Sequence, residues 1–250
     1  CDGTGPFRLE TFEERRIRVT REPAYPRLAI PGVPTPAAAP DHIEWTYVPD
    51  PHDRVQLLLA GDVDLINGVP PTDVARLRSN PNVRLSQGPS TFIIFLGMDQ
   101  GSEQLKGSNV TGKNPFKDKR VREALSVAID REAIKRATMR GLSVPAGIMV
   151  APGVNGNAPD IDVPTKADPE RARKLLAEAG YPNGFEVPLN CPNNRYVNDE
   201  EICQALVAMW ARIGLKVKLT AEPMATFIAK VQNFDSSVYM LGWGVATFDA

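Results

Sequence analysis

Segments with a helical apolar period and segments with a strand period follow one another along almost the whole chain, and this alternation restricts the fold more than any other feature. Ile43, Trp45 and Tyr47 alternate as a half-buried strand, and Asp50-Pro51 opens a helix with Val55, Leu58 and Leu59 on one face and Gly61 at its end. A short strand is expected around Val63 and Leu65, a helix after Pro70-Pro71-Thr72 with Val74 and Leu77 inward, and a strand through Val83 and Leu85. Phe92 to Met98 is an apolar run far shorter than the ~20 residues that cross a bilayer, so it reads as a buried strand.

The second half continues the pattern. Asp118 caps a helix with Val121, Ala124, Leu125, Ala128 and Ile129 on one stripe and Arg120, Arg122 and Glu123 toward water. Asp130 caps another that ends at Gly141, and Asp168-Pro169-Glu170 starts a third, with Ala172, Leu175, Leu176 and Ala179 periodic and Gly180 just beyond. Phe185 to Leu189 is a strand, Ile202 to Ile213 a helix stopped by Gly214, and Val217 with Leu219 another strand. Such alternation predicts α/β layering, mixed sheets flanked by helices, rather than a bundle or a β-sandwich. Only Pro23 to Pro40 breaks it, as an extended, proline-rich surface loop.

Charge and composition remove several functions. The formal net charge of −1 comes with no basic block, which excludes a nucleic-acid or anionic-membrane footprint. Cys1-Asp2-Gly3-Thr4-Gly5 has no charged region followed by an apolar one, so no secretory leader is expected in that stretch. Cys1, Cys191 and Cys203 have neither zinc spacing nor a CxxC pair; buried or free thiols are expected, with a Cys191–Cys203 bridge conceivable if the protein is exported.

No catalytic set emerges. Gly107 to Lys113 matches a phosphate loop up to its lysine, but Asn114 stands where a Ser or Thr must reach the metal and Pro115 follows where helix amides should face phosphate. His42 and His52 lie ten residues apart, on no common face and in no metal or hydrolase motif, and are expected on the surface. Asp62 with Asp64, and Asp199 with Glu200 and Glu201, read as solvated loop or first-turn acids. What remains are two loops at strand ends, where open α/β sheets place ligands. One runs from Asn190 to Asn198 and is rich in hydrogen-bonding groups, with Asn194, Arg195 and Tyr196 at its centre; the other is the end of a strand, Val238 to Gly244, with Trp243 between glycines. Glycine lets backbone approach a ligand closely, and an indole offers a broad apolar face with one N–H.

Several segments in order resemble the family 5 solute-binding proteins of ABC importers, the dipeptide- and oligopeptide-binding group. They are Gly3-Thr4-Gly5-Pro6-Phe7, Val55 to Ile66 with Gly61-Asp62-Val63-Asp64, Lys119 to Leu125, Ala128-Ile129-Asp130-Arg131, Asp168 to Pro182, Ile213 to Val217, and Leu241-Gly242-Trp243-Gly244. The resemblance implies a two-lobed, type II periplasmic-binding-protein fold. Residues 1–91 would be part of lobe one, 92–250 most of lobe two, and 91–98 a strand crossing the hinge. Family members are longer, so the chain resembles a fragment. The implied role is capture of a small solute, peptide or peptide-like, in an interlobe cleft and delivery to membrane permease subunits, outside the cytoplasm. The implied receptor is a monomer without cofactor, metal, catalysis or nucleic acid.

The same resemblance places the solute near Trp243, Gly244, Arg195, Tyr196 and Asn194. In peptide-binding relatives an aspartate three residues after the tryptophan pairs with the ligand's ammonium; here that position is Ala246, and Asp249 is the nearest acid. A desolvated ammonium without a carboxylate is costly, so a free peptide N-terminus is read differently or not at all. The loop Asn194-Arg195-Tyr196 can instead contact a carboxylate or a sugar hydroxyl, Arg195 by bidentate pairing and Tyr196 by stacking. The alternatives are a receptor of this family for an opine or oligosaccharide, and the ligand-sensing domain of a regulator.

Overall fold

A computed structural model describes residues 5–23, 25 and 40–247. The loop expected over 23–40 falls mostly outside the described residues, as does Asp249. The chain divides into two compact units, Cys1–Ile66 and Asn67–Ala250.

In the first unit, β1 (Phe7–Phe12), β2 (Arg16–Arg21) and β3 (His42–Thr46) form an antiparallel sheet in that order. Its register aligns Leu9, Val19 and Ile43, and Phe12, Ile17 and Trp45, on one face. The other face carries ion pairs from Arg18 to Glu10 at 3.2 Å and from Arg16 to Glu44 at 3.4 Å. The sequence expectation lacks β1 and β2, because their arginines and glutamates mask a two-residue period that Ile17 and Val19 do carry. Trp45 is 53% exposed, close to the half-burial expected of it.

Helix α1 (Pro51–Ala60) forms as its punctuation dictates. Asp50 accepts from the His52 N–H at 2.7 Å and the Asp53 N–H at 3.3 Å, and Gly61, at φ 80°, returns its N–H to Leu57 and Leu58. The strand expected at Val63 and Leu65 does not form. Leu65 is 82% exposed, and the segment has no ladder partner among the described residues.

The second unit opens with α2 (Val74–Arg78), whose Leu77 is fully buried. The strand expected at Val83 and Leu85 is likewise absent for want of a neighbouring ladder among the described residues. There follow β4 (Phe92–Met98), α3 (Lys119–Val127), α4 (Arg131–Ala133), α5 (Pro169–Glu178), β5 (Glu186–Pro192), α6 (Asp199–Ala211), β6 (Lys216–Glu222), α7 (Met224–Gln232) and β7 (Val238–Gly244). Helix α7 is absent from the expectation although Met224, Phe227, Ile228 and Val231 keep helical spacing. A π-helical turn, Ile134–Thr138, extends α4.

The sheet order is β4-β7-β5-β6, with β5 parallel to β6 and β7, and β4 antiparallel to β7. Its core face packs on α6 and, through it, on α3 and α5. The Trp210 indole N–H donates to the Leu125 carbonyl at 3.0 Å in full burial. Val121, Leu125, Leu176, Val187, Leu189, Leu206 and Met240 complete this core. Each such side chain contributes ~1.5–3 kcal/mol by leaving water. The expected caps hold here as well, with Asp118 accepting from Arg120 N–H, Asp130 from Ala133 N–H and Asp168 from Arg171 N–H.

Two expectations change in this unit. The run from Phe92 is not buried throughout, since Phe92 is 43% and Ile94 39% exposed. Cys191 and Cys203 are not free thiols but form a disulfide, both residues fully buried. Their spacing in sequence carries no signal. The bridge exists because α6 folds back on β5 and turns Cys203 toward the inward face on which Cys191 lies.

Candidate functional site

Parallel strands β5 and β7 end at the same edge of the sheet, and antiparallel β4 begins there, so the 193–198 loop, Trp243-Gly244 and Phe92 gather at one rim. Strand β5 pairs with β7 only at Asn190 opposite Tyr239. Beyond that point the Gly242 N–H has no β5 carbonyl to meet, and it donates instead to the Tyr196 hydroxyl at 2.8 Å. The tyrosine thereby serves as a stand-in for a missing strand partner.

Glycine is required for this arrangement. A Cβ on Gly242 would lie 2.8 Å from Tyr196 Cε1, 2.9 Å from Phe92 Cε1 and 3.0 Å from Ile94 Cδ1. The Gly244 Cβ direction also runs into the Phe92 ring. The Phe92 and Tyr196 rings lie 6.3 Å apart, and the Arg195 guanidinium sits 5.7 Å from the first and 5.3 Å from the second. Among the described residues no carboxylate pairs with it, so a full positive charge rests on two aromatic faces at the sheet rim.

Asp199 builds the loop from below. Although expected in solvent, it is 4% exposed, and its Oδ2 accepts from the Arg195 N–H at 2.9 Å and the Tyr196 N–H at 3.0 Å. Its Oδ1 accepts from the Glu200 N–H at 3.1 Å. A carboxylate needing three amide donors folds back into the turn instead of facing water. Asn198, in the left-handed region at φ 54°, donates its side-chain amide to the Thr138 carbonyl of the π-helical turn at 2.8 Å.

The candidate residues therefore separate. Arg195, Tyr196 and the Gly244 Cα share one face with Phe92, which the sequence reading treated only as the start of a strand. Asn194 is at the same loop, but its Oδ1 accepts the Met224 N–H at 2.8 Å and so caps α7. Trp243, between glycines whose Cβ directions point toward Phe92 and Tyr196, projects to the opposite face, as strand alternation requires. There, 57% exposed, it borders a cavity of about 630 Å³ with Met149, Val150, Val245 and Ala246 among its walls. Asp162 braces that wall: its Oδ1 accepts from the Gly147 N–H at 2.7 Å, and the Asn157 amide links the Val150 carbonyl at 2.8 Å to Asp162 Oδ2 at 3.3 Å. The Gly147 N–H bond holds the Asp162 carboxyl below the usual carboxylate range.

A smaller cavity of about 330 Å³ lies beside Lys113 and Tyr181, in the failed phosphate loop. Asn114 is spent there on structure, donating to the Asp99 and Ser102 carbonyls and accepting from the Phe116 N–H. His42 and His52 are both exposed, in the other unit. Among the described residues no cluster of His, Cys, Asp or Glu could hold a metal ion.

The sheet order and the helices flanking it give the chain the mixed α/β fold of type II periplasmic binding proteins. The chain superposes with a TM-score of 0.76 on PBP AgaA from A. tumefaciens R10, solved with agropinic acid, at 30% identity over 95% of this chain and 45% of that one. With the ABC transporter-associated periplasmic binding protein DppA of Helicobacter pylori, solved with the peptide STSA, the TM-score is 0.78 at 22% identity, covering 97% of this chain and 43% of that one. The chain belongs to the bacterial extracellular solute-binding proteins, family 5, whose model matches residues 2–250. It is 32% identical to the glutathione-binding protein GsiB of Salmonella choleraesuis (strain SC-B67) over 254 residues, which cover 99% of this chain and 46% of that protein. The chain thus spans about half the length of the curated relatives it matches.

Proposed function

We propose that this chain is part of the substrate-binding component of an ABC importer. It captures a small carboxylate-bearing solute, peptide-like or opine-like, outside the cytoplasm and delivers it to a membrane permease without chemical turnover. One observation carries the reading: the Arg195 guanidinium lies on two aromatic rings at the sheet rim with no carboxylate of its own among the described residues. A planar cation so placed offers bidentate hydrogen bonds to an incoming carboxylate while two aromatic rings hold it in position. The relatives lend the substrate class, since glutathione, a peptide and an opine acid all carry carboxylates. Ala246 in the cavity wall supplies no partner for an ammonium, which favours a solute whose amine is absent or held elsewhere. The same reading assigns residues 1–91 to part of one lobe and 92–250 to most of the other, joined by the strand at 91–98.

The test is calorimetric titration and thermal shift of the full-length protein with glutathione, agropinic acid, dipeptides and a neutral oligosaccharide. A true solute at 100 times its Kd stabilises the native state by about 2.7 kcal/mol. Arg195→Ala should weaken the carboxylate solute by about tenfold or more, the ~1.4 kcal/mol or more of a charge-assisted contact. If only the oligosaccharide raises the midpoint, or Arg195→Ala leaves affinity untouched, the reading fails.

A further inference from the structure

The segment that presents Arg195 and Tyr196 is closed at its base by the Cys191–Cys203 disulfide, whose residues are 12 apart in sequence and fully buried. Cys191 lies near the end of β5 and Cys203 in α6. The Cys203 sulfur is 3.6 Å from the Met240 sulfur of β7, so the cross-link rests on the strand whose Gly242 N–H holds the Tyr196 hydroxyl. Within the closed segment four polar side chains are committed to the fold: Asn194 to α7, Tyr196 to β7, Asn198 to the π-helical turn, and Asp199 to the amides of Arg195, Tyr196 and Glu200. The Arg195 guanidinium is left over, seated on Phe92 and Tyr196.

A bridge across so short a stretch constrains the unfolded chain somewhat less than one that closes a long loop, since that effect grows only with the logarithm of loop length. What it restrains most is the segment between its ends. Core packing already holds β5 and α6 together, through Val187, Leu189, Leu206 and Trp210. The loop 193–198 has no apolar anchor of comparable burial, since Tyr196 is only half-buried and Val197 is exposed.

We propose that the Cys191–Cys203 disulfide, acting with Asp199, is a positioning device for the Arg195–Tyr196 arm, holding the guanidinium on its two rings before any solute arrives. Its consequence for affinity rests on the reading of Arg195 as the carboxylate anchor: an arm ordered in advance loses little further freedom on binding. The positioning itself is tested without a solute.

The experiment compares oxidised full-length wild type with Cys191→Ala/Cys203→Ala by hydrogen–deuterium exchange and by the NMR signal of the Arg195 side-chain Nε–H. Exchange over 193–198 should quicken at least tenfold while α3 and β6 keep wild-type protection. The Nε–H resonance should leave the ring-current position set by Phe92 and Tyr196. If the alanine pair does not fold, Cys191→Val/Cys203→Ala refills the volume and the same two signals are read. Unchanged exchange over 193–198 overturns the proposal. So does a uniform rise across α3, β6 and the loop, or failure of both variants to fold, because the bridge is then a global stabiliser. Failure to find any carboxylate ligand would sink the functional reading but would leave both of these signals unaltered.

Discussion

Replacing Asp199 by alanine removes the acceptor of three backbone amides, those of Arg195 at 2.9 Å, Tyr196 at 3.0 Å and Glu200 at 3.1 Å. Bonds to a charged acceptor contribute ~1.5–3 kcal/mol each, and a buried donor left without a partner costs ~1–3 kcal/mol. The three do not add in full. Arg195 is exposed, so water takes over its amide, whereas Tyr196 and Glu200 are half-buried and are less easily rehydrated. The expected loss is about 2–3 kcal/mol, several times the ~0.5 kcal/mol of an ordinary surface substitution. Asp199→Asn keeps one oxygen with two lone pairs and should lose only ~1 kcal/mol. Urea unfolding of the full-length protein gives the free energies, and thermal melting should show a drop of ~4–12 °C for the alanine variant at ~2–4 °C per kcal/mol. A loss under ~0.5 kcal/mol for Asp199→Ala, or an asparagine variant weaker than the alanine one, would refute the account of Asp199 as the loop's internal acceptor.

Three further outcomes follow from the same geometry. Gly242→Ala, which in an open strand would gain ~0.5–1 kcal/mol, should instead lose ~1–3 kcal/mol, because the new methyl meets Tyr196, Phe92 and Ile94 at 2.8–3.0 Å; equilibrium unfolding decides the sign. Trp243→Ala should leave stability within ~1 kcal/mol, since a side chain 57% exposed has little packing to lose; a solute that also fills the cavity on its face should bind more weakly to the variant, and an unchanged thermal shift removes Trp243 from the site. Asp162 is held below the usual carboxylate range chiefly by the Gly147 N–H, so its share of stability is fully present above the unfolded value and is lost as pH falls through the lower folded value. Protection factors over residues 147–163, corrected for the intrinsic pH dependence of exchange, should therefore be flat at neutral pH and fall only below about pH 4, and Asp162→Asn should flatten that acid limb.

The helices were the most legible part of the chain, and the reason is local. Asp50, Asp118, Asp130 and Asp168 each cap through their own side chain, and Gly61 and Gly180 take positive φ where the periodic residues end. Such signals are complete within a few residues. Strands are different, because a strand exists only if another backbone lies beside it. Val63 with Leu65 and Val83 with Leu85 alternate as strands do but form none, while β1 and β2, dense in arginine and glutamate, pair because β3 supplies the third member of their sheet.

At the candidate site the sequence by itself determined which residue types stand at the strand ends: an amide-rich loop with Arg195 and Tyr196, and a tryptophan between glycines. Through the ordered motifs it also determined the family. Tertiary structure alone decided how those residues divide. Strand alternation sends Trp243 to one face and turns the bare Cα positions of Gly242 and Gly244 toward Phe92 and Tyr196 on the other. The early departure of β5 from β7 leaves the Gly242 N–H for the Tyr196 hydroxyl, and the return of α6 over β5 buries Asp199 and joins Cys191 to Cys203. Each of these depends on groups distant in sequence meeting with a fixed register, and no local pattern of residues encodes a register.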